Sequence, residues 1–402
     1  MRSILLGRLI YTALVAGCMS APSPRAHTDP ARTAPAAFDH ARLDERLPGL
    51  LADYKVAGAG IGVIRGGELV WSGYYGEQGP GVPASERTVF NTASVAKTLT
   101  AETLIALAAK GLIDLDEPVA HHVSEPDLQA DPRYARLTPR ILLSHRSGLK
   151  NWAYEYDDGH LAFISDPGVR FTYSGAGVDL AARYAENKLG RDFEALAVEH
   201  VLGPGGITEM SMGRWRPWLK DRLAIPMNAE GKYDATGALA PRLVPGTVGP
   251  WSSADDLLTT VPAYARFLMG VMKSGGLSAA QIAERSTILT SLVGDPIWAC
   301  EPQPGVRCAD AYGHGLGWMI YRFGPRTVVT HGGNDAGENA LVYYSPESRD
   351  GAVILVNGGN GIFVTTRVLE LIGDEPDMAA YYRQLVKKHY HVTLEPLPAA
   401  AR

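Results

Sequence analysis

The chain has 402 residues, of which 46% are hydrophobic, and a formal net charge of −5. That hydrophobic content is enough to bury a large core, so the composition excludes a disordered chain. Lysine and arginine are scattered without a basic run, which excludes the electrostatic footprint of nucleic-acid binding. A small or peptidic substrate is the partner that we expect.

The first 17 residues are typical of a secretory signal. Arg2 and Arg8 flank a short apolar stretch that is too brief to span a bilayer. The stretch 15–18, Val-Ala-Gly-Cys, also resembles a bacterial lipobox, in which cleavage exposes Cys18 for lipid attachment. An ordinary signal peptide cut nearer Ala26 is the alternative. Either way we expect an exported, periplasmic protein, whose only contact with a membrane would be a lipid anchor at Cys18.

The segment after this signal is rich in Pro, Ala, Ser and Thr. Residues 18–40 therefore predict a flexible tether with too little apolar content to fold. Residues 41–402 predict one folded domain.

The domain begins with a predicted hairpin and one strongly patterned helix. Residues 57–64 and 68–75 are separated by Arg-Gly-Gly and predict two paired strands. Residues 95–110 carry leucine and isoleucine at helical spacing and stop at Gly111, a natural helix cap. A sheet therefore starts early, and a helix follows it.

The middle of the chain, about 113–300, predicts a mainly helical region inserted between early and late strands. Its helical runs are 176–189, 193–201 and 262–273. Cys300 and Cys308 then fall in one Pro- and Gly-containing loop, and in an exported chain this spacing favours a local disulfide. Two unrelated thiols are the alternative, and a zinc site is disfavoured because no histidine pair at ligand spacing is nearby.

Four strand-like runs and a helix complete the chain. The strands are 317–323, 327–331, 340–345 and 352–357, and the helix is 362–372. Short turns between the strands suit antiparallel pairing. The predicted class is α+β, with an antiparallel sheet flanked by helices.

Ser94 and Lys97 are the sharpest chemical signal. At the start of a helix, residues i and i+3 share one face, so the hydroxyl and the amine can touch. A lysine can activate a serine when burial keeps the amine partly neutral, and apolar neighbours such as Val95 and Leu99 could provide that burial. The alternative is a serine that only caps the helix and a solvated lysine, because Ser-x-x-Lys is common by chance.

Three further motifs follow in order, each with one polar side chain of interest. They are Leu137–Leu149 with His145, Pro167–Gly175 with Tyr173, and His331-Gly332-Gly333. With these motifs the chain, over roughly residues 45–370, resembles the penicillin-recognising serine hydrolases, in the branch of class C β-lactamases, D-alanyl-D-alanine carboxypeptidases, D-aminopeptidases and related esterases. The resemblance implies a β-lactamase-like fold.

The resemblance also implies roles for individual residues. Tyr173 would stand near the serine and lysine and carry protons to the leaving group. The backbone N–H groups of Ser94 and Asn334 would bind the oxyanion. His145 would be structural, and no metal or organic cofactor would be required.

The chain departs from the family pattern at two places. Gly175 stands where many members have an asparagine that contacts the substrate amide. His331 stands where β-lactamases have the lysine of Lys-Thr-Gly, and a histidine is a weaker clamp for a free carboxylate. Members with the His-x-Gly form tend to be peptidases that act at D-residues. Gly332 and Gly333 would let a substrate approach the strand closely.

Aromatic residues in the predicted loops, Trp152 and Trp251 among them, would suit a bulky apolar substrate at the cleft.

The predicted function is a serine peptidase that acts on short linear peptides at a residue such as D-Ala. Length, export and motifs also resemble those of peptidases of linearised microcystin, a D-Ala-containing peptide with a large aromatic side chain. A carboxylesterase of the same fold, or a penicillin-binding sensor that stays acylated, is the alternative.

Overall fold

The computed structural model describes residues 38–234 and 251–397. The predicted signal, the lipobox at Cys18 and nearly all of the predicted tether lie outside these described residues. Within the described ranges, no helix combines the length and apolarity needed to cross a bilayer.

Twelve strands form two antiparallel sheets within the described residues. The large sheet has the order β3-β2-β1-β12-β11-β10-β9-β8-β7, and the small sheet has the order β4-β6-β5. The strands are β1 Gly58–Arg65, β2 Glu68–Gly79, β3 Val82–Pro83, β4 Phe90–Asn91, β5 Met210–Met212, β6 Leu257–Thr259, β7 Thr290–Ser291, β8 Ala311–His314, β9 Met319–Phe323, β10 Arg326–Asn334, β11 Asn339–Tyr344 and β12 Gly351–Asn357. The predicted antiparallel sheet is confirmed, and its early hairpin and late strands meet where β1 pairs with β12.

Nine α-helices are present in the same described ranges. They are α1 Ala41–Asp53, α2 Ala96–Ala109, α3 Pro139–Leu143, α4 Gly175–Leu189, α5 Phe193–Ala197, α6 Val261–Lys273, α7 Ala279–Arg285, α8 Gly361–Ile372 and α9 Pro376–Tyr390. The segments α2 and α6 pack on one face of the large sheet, and α1, α8 and α9 pack on the other.

Strand β1 explains how both faces can be covered. Its alternate residues Ala59, Ile61 and Val63 belong to the core beneath α1 and α8. On the opposite face, a Cβ added at Gly60 or Gly62 would lie within 2.9 Å of the Val261 side chain. The two glycines therefore let α6 approach the sheet closely.

The predicted helical region of 113–300 holds α3, α4 and α5, but it also holds helices and strands that belong with the sheet. Helix α6 packs against β1, β2 and β12, and strand β7 joins the edge of the large sheet. Strand β4, just before Ser94, pairs with β6, just after Asp255. The small sheet therefore brings together the segments of Ser94 and Asp255, which are far apart in the chain.

Candidate active site

Ser94 lies in a tight turn. It belongs to a short 3-10 helix, Ala93–Val95, that leads directly into α2. Ala93 has a φ of +46°, a left-handed conformation that non-glycine residues rarely adopt. Backbone strain of this kind persists only where the surroundings hold it, and here the Thr92 N–H bonds the Leu257 carbonyl at 3.0 Å. The turn presents Ser94 at the cleft.

Lys97 is fully buried on the first turn of α2. Its Nζ donates to Ser94 Oγ at 2.9 Å and to the Ala254 carbonyl at 2.8 Å. The predicted serine–lysine contact is therefore present in the structure. Because the Ala254 carbonyl fixes the amine, Nζ is held beside the nucleophile.

Asp179 supports Lys97 indirectly, through the segment that contains Ala254. Its carboxylate accepts hydrogen bonds from the Ser253 hydroxyl at 2.7 Å and from the Ala254 N–H at 3.2 Å. Burial raises the pKa of Asp179, and the two neighbouring serine hydroxyls oppose that rise. Asp179 thus positions the carbonyl to which Lys97 bonds, a role that no sequence motif indicated.

Asp255 places a second acceptor at the nucleophile. The Ser94 hydroxyl donates to Asp255 Oδ1 at 3.3 Å. Burial raises the pKa of Asp255, and the nearby Lys97 lowers it. A carboxyl group therefore lies within hydrogen-bond distance of the Ser94 hydroxyl. Sequence reasoning missed it, because a Ser-Ala-Asp-Asp run carries no signal of proximity to a serine 161 residues away.

Tyr173 stands over the lysine. Its ring centroid lies 4.9 Å from Lys97 Nζ. The ring stacks on His145, with 4.3 Å between centroids, and His145 Nδ1 accepts the Ser174 N–H at 3.1 Å. The structural role predicted for His145 thus takes a specific form, since His145 orients the tyrosine.

His331 is buried, with 3% of its surface exposed. Its Nδ1 pairs with the Gly332 carbonyl at 2.7 Å, and since a carbonyl can only accept, Nδ1 carries the proton. Burial first, and Lys97 second, lower the pKa of His331 to about 3. The pKa of the neighbouring His314 is likewise lowered to about 3, chiefly by burial. His331 therefore provides no positive charge for a substrate carboxylate at neutral pH.

The end of β10 forms an open edge beside the serine. Strand β9 stops pairing with β10 at Met319 opposite Thr330, so among the described residues no strand pairs with the β9 side of residues 331–334. The Asp335 N–H bonds the Glu338 carbonyl in the same register. Antiparallel ladders alternate, so the Asn334 N–H turns towards the open edge. That direction suits the oxyanion role predicted for Asn334.

Gly333 allows this edge to lie against the nucleophile turn. A Cβ at Gly333 would fall 2.1 Å from the Thr92 carbonyl oxygen and 3.2 Å from the Ser94 backbone nitrogen. No larger residue fits without a backbone shift.

Trp152 and Asn151 occupy the surroundings of Gly175. A Cβ at Gly175 would fall 2.4 Å from Trp152 Cη2, so the indole fills the space of the side chain that the family asparagine would have. The Gly175 N–H donates to Asn151 Oδ1 at 2.7 Å, which directs the Asn151 NH₂ group away from it. Asn151 lines the cleft together with Ser94 and Tyr173. Sequence reasoning missed Asn151, which is an amide donor from a different loop.

The structure places Trp251 against helix α5. Its ring stacks on Phe193 with 6.3 Å between centroids and lies under Arg214, whose Cζ is 5.2 Å away. It does not line the cavity that holds Ser94, because packing on α5 draws it towards the helical core. Trp152 covers Gly175, and its ring lies 5.9 Å from Lys97 Nζ, but it does not line that cavity.

The predicted disulfide between Cys300 and Cys308 is confirmed.

A serine activated by a buried lysine, beside an open strand edge on an α+β fold, defines a serine hydrolase of the penicillin-recognising type. The family model described as "Beta-lactamase" matches residues 43–374. The chain belongs to this beta-lactamase family.

Individual relatives agree with the assignment. The chain is 28% identical over 359 residues to penicillin-binding protein 4 of Amycolatopsis lactamdurans, covering 84% of this chain and 90% of the relative. It is 26% identical over 346 residues to esterase EstB of Burkholderia gladioli, covering 70% and 87%. Among solved structures, an octameric penicillin-binding protein homologue from Pyrococcus abyssi superposes with a TM-score of 0.68 at 21% identity, covering 87% and 82% of the two chains.

Proposed function

We propose that this protein is an exported serine peptidase that cleaves short linear peptides, through a Ser94 acyl-enzyme, at a D-residue such as D-Ala. The observation that carries the proposal is the open edge of β10, residues 331–334, beside Ser94. An extended peptide can pair with such an edge through its backbone. A linear D-Ala peptide with a large aromatic side chain, such as linearised microcystin, is a substrate of this kind.

Acylation uses the contacts around Ser94. As the neutral amine, Lys97 takes the serine proton across the 2.9 Å contact between Nζ and Oγ, while Oγ attacks the carbonyl. The N–H groups of Ser94 and Asn334 stabilise the oxyanion. The proton then passes by way of Tyr173 to the leaving nitrogen, and the amine departs. Water then attacks the acyl-enzyme carbonyl and gives its proton to Lys97. The bond from the carbonyl carbon to Ser94 Oγ breaks, Lys97 returns the proton to Oγ, and the acid leaves.

Charge favours peptides over β-lactams as substrates. A penicillin carries a carboxylate, but His331 is neutral, with a pKa lowered to about 3, and Asp255 lies beside the serine. An anion placed between these groups gains little and meets a carboxyl group on one side. An uncharged peptide segment is not repelled by that carboxyl group and does not need a positive charge to bind.

A carboxylesterase is the second candidate, since the similarity to esterase EstB extends over 70% of this chain. An ester needs less assistance to its leaving group than an amide does. The two functions therefore differ in one step. A peptidase needs proton transfer from Lys97 by way of Tyr173 to the leaving amine, and an esterase depends on it less.

A matched substrate panel tests the proposal. Linear peptides that differ only in D- or L-Ala at the scissile position, and the ethyl esters of the same acyl groups, would be incubated with wild type and with Ser94→Ala. Mass spectrometry would identify the products. We expect cleavage after D-Ala at least about 10-fold faster than after L-Ala, which corresponds to about 1.4 kcal/mol.

Three results would contradict the proposal. Cleavage of esters alone favours the esterase. Equal rates for the two epimers remove the D-residue preference. An acyl-enzyme that persists for hours favours a penicillin-binding sensor.

A further inference from the structure

The cleft at Ser94 continues into a cavity that the mechanism above does not use. The cavity has a volume of about 420 Å³. It runs from Ser94 and Tyr173 past His331 and Gly332 to helix α9 on the other face of the sheet. A space of this size is in the range of pockets that bind small ligands.

Gly332 opens the passage. It faces α9, because a Cβ built there would have the Tyr382 hydroxyl as a neighbour at 4.0 Å and the Ala340 carbonyl oxygen at 3.9 Å. Its cross-strand neighbour Leu341 also lines the cavity. Since both distances are ordinary contacts, a side chain at this position would occupy free space, and glycine leaves that space empty.

The walls of the cavity are mostly apolar. Ile297 and Trp298 line it from the loop before Cys300, and Ile362 and Leu385 line it from α8 and α9. Among the described residues that line it, there is no lysine or arginine. A charged group would lose its hydration there without gaining an ion pair, so the cavity suits an uncharged apolar group.

The wall is held in place before any ligand binds. The Tyr381 hydroxyl donates to the Trp298 carbonyl at 2.8 Å, and Lys388 Nζ donates to the Pro296 carbonyl at 2.5 Å. The Cys300–Cys308 disulfide closes the loop that follows. Helix α9 and this loop therefore form one side of a preformed pocket.

The leaving group of the substrate lies on this side of the scissile bond. In the proposed mechanism Tyr173 passes a proton to the leaving atom, and Tyr173 lines the cavity together with His314 and His331. The edge of β10 orients an extended substrate so that alternate side chains point to opposite faces of the sheet. A side chain on the leaving side can thus pass Gly332 and enter.

We propose that this cavity is the leaving-group subsite, and that it takes an uncharged apolar group of the size of an aromatic side chain. The inference rests on the proposed function of Ser94. It adds that the enzyme prefers a bulky apolar residue directly after the scissile bond, and that it disfavours a free carboxylate there, which separates it from a carboxypeptidase.

The test compares three substrates with the same N-acetyl-D-alanyl group. Their leaving groups are phenylalaninamide, glycinamide and phenylalanine with a free carboxylate. We expect kcat/KM for phenylalaninamide to exceed that for each of the others by at least about 10-fold, which corresponds to about 1.4 kcal/mol.

Matched variants on α9 locate the effect. Leu385→Trp fills the cavity and should reduce the preference for phenylalaninamide over glycinamide at least about 10-fold, or about 1.4 kcal/mol. Lys387→Trp puts the same side chain at an exposed position of the helix that does not line the cavity, so the preference should persist. If Leu385→Trp does not fold, Gly332→Ala is the substitute. Its added methyl group has no neighbour closer than 3.9 Å, so the variant should fold, and the methyl group narrows the passage into the cavity.

The outcomes separate the subsite from the function. If wild type cleaves all three substrates with equal kcat/KM, or if Leu385→Trp slows all of them equally, the subsite proposal is wrong and the peptidase proposal stands. If no substrate acylates Ser94, both are wrong.

Discussion

The end of strand β10 separates two different environments. On the α2 side, Gly333 lies against the Ser94 turn, and the buried groups are polar: Lys97, His331 and His314. On the α9 side, Gly332 borders the mostly apolar part of the cavity. Two adjacent glycines in one strand thus face a polar catalytic site and a mostly apolar cavity.

The difference separates chemistry from selectivity. Groups on the α2 side act on atoms that every substrate shares, namely the serine, the scissile carbonyl and the proton. In the proposed subsite, groups on the α9 side contact only the leaving group, which varies between substrates. Substitutions on the α2 side should therefore change rates for all substrates, and those on the α9 side should change ratios between substrates.

Replacing the general base should give the largest effect. Lys97→Met keeps an apolar stem in the buried site but removes the amine, so the rate of acylation should fall by about 10²–10⁴ for every substrate. Stopped-flow acylation with an ester and a peptide would measure the loss. A loss confined to one substrate would contradict the expectation that the α2 side affects all substrates alike, because Lys97 would then contribute to recognition.

The two glycines should respond oppositely to alanine. In Gly333→Ala the new Cβ meets the Thr92 carbonyl at 2.1 Å, so the backbone must move and unfolding free energy should fall by about 1–3 kcal/mol. Gly332→Ala meets nothing closer than 3.9 Å and should change it by less than about 0.5 kcal/mol. Urea unfolding of both variants measures the difference. Equal losses would show that the α9 side is as tightly filled as the α2 side.

Removing the charge beside the nucleophile should alter the choice between anionic and neutral reagents. In Asp255→Asn the repulsion of a nearby carboxylate is lost, so acylation by a fluorescent penicillin should rise about 10-fold relative to an uncharged phosphonate, or about 1.4 kcal/mol. Asp310→Asn, at an exposed position, is the control. An unchanged ratio would mean that Asp255 does not sense the substrate.

Acid should destabilise the α2 side. The pKa values of His314 and His331 are lowered from 6.5 to about 3 on folding, so between pH 6.5 and 3 the unfolded chain binds more protons than the folded one. Stability is therefore present above pH 6.5 and is lost as the pH falls through this window, by at most about 1.4 kcal/mol per pH unit for each histidine.

Urea titrations from pH 8 to pH 4 measure that dependence. His314→Gln should reduce the slope, whereas His121→Gln, with a side chain that is 61% exposed, should not. A slope that is the same in all three proteins would mean that His314 does not contribute to it.

Local patterns predicted the elements that carry their own signal. The β1–β2 hairpin, helix α2 and the His331-Gly332-Gly333 strand follow from turn residues, helical spacing and glycines. Helix α9 was missed, because its last turn is charged and it follows a predicted terminal helix; its burial depends on the sheet and on the 295–301 loop. Asp255, Asn151 and Asp179 were missed for a similar reason, because their proximity to Ser94 and Lys97 arises only from tertiary contacts. The neutrality of His331 likewise depends on burial beside Lys97, which no local pattern encodes.

Covalent labelling tests the central claim most directly. The wild-type protein would be treated with an uncharged fluorophosphonate, digested and analysed by mass spectrometry. The structure predicts one adduct on the peptide that contains Ser94, no adduct in Ser94→Ala, and slow labelling in Lys97→Met. An adduct at another serine, or equal labelling of Ser94→Ala, would contradict the assignment of Ser94 as the nucleophile.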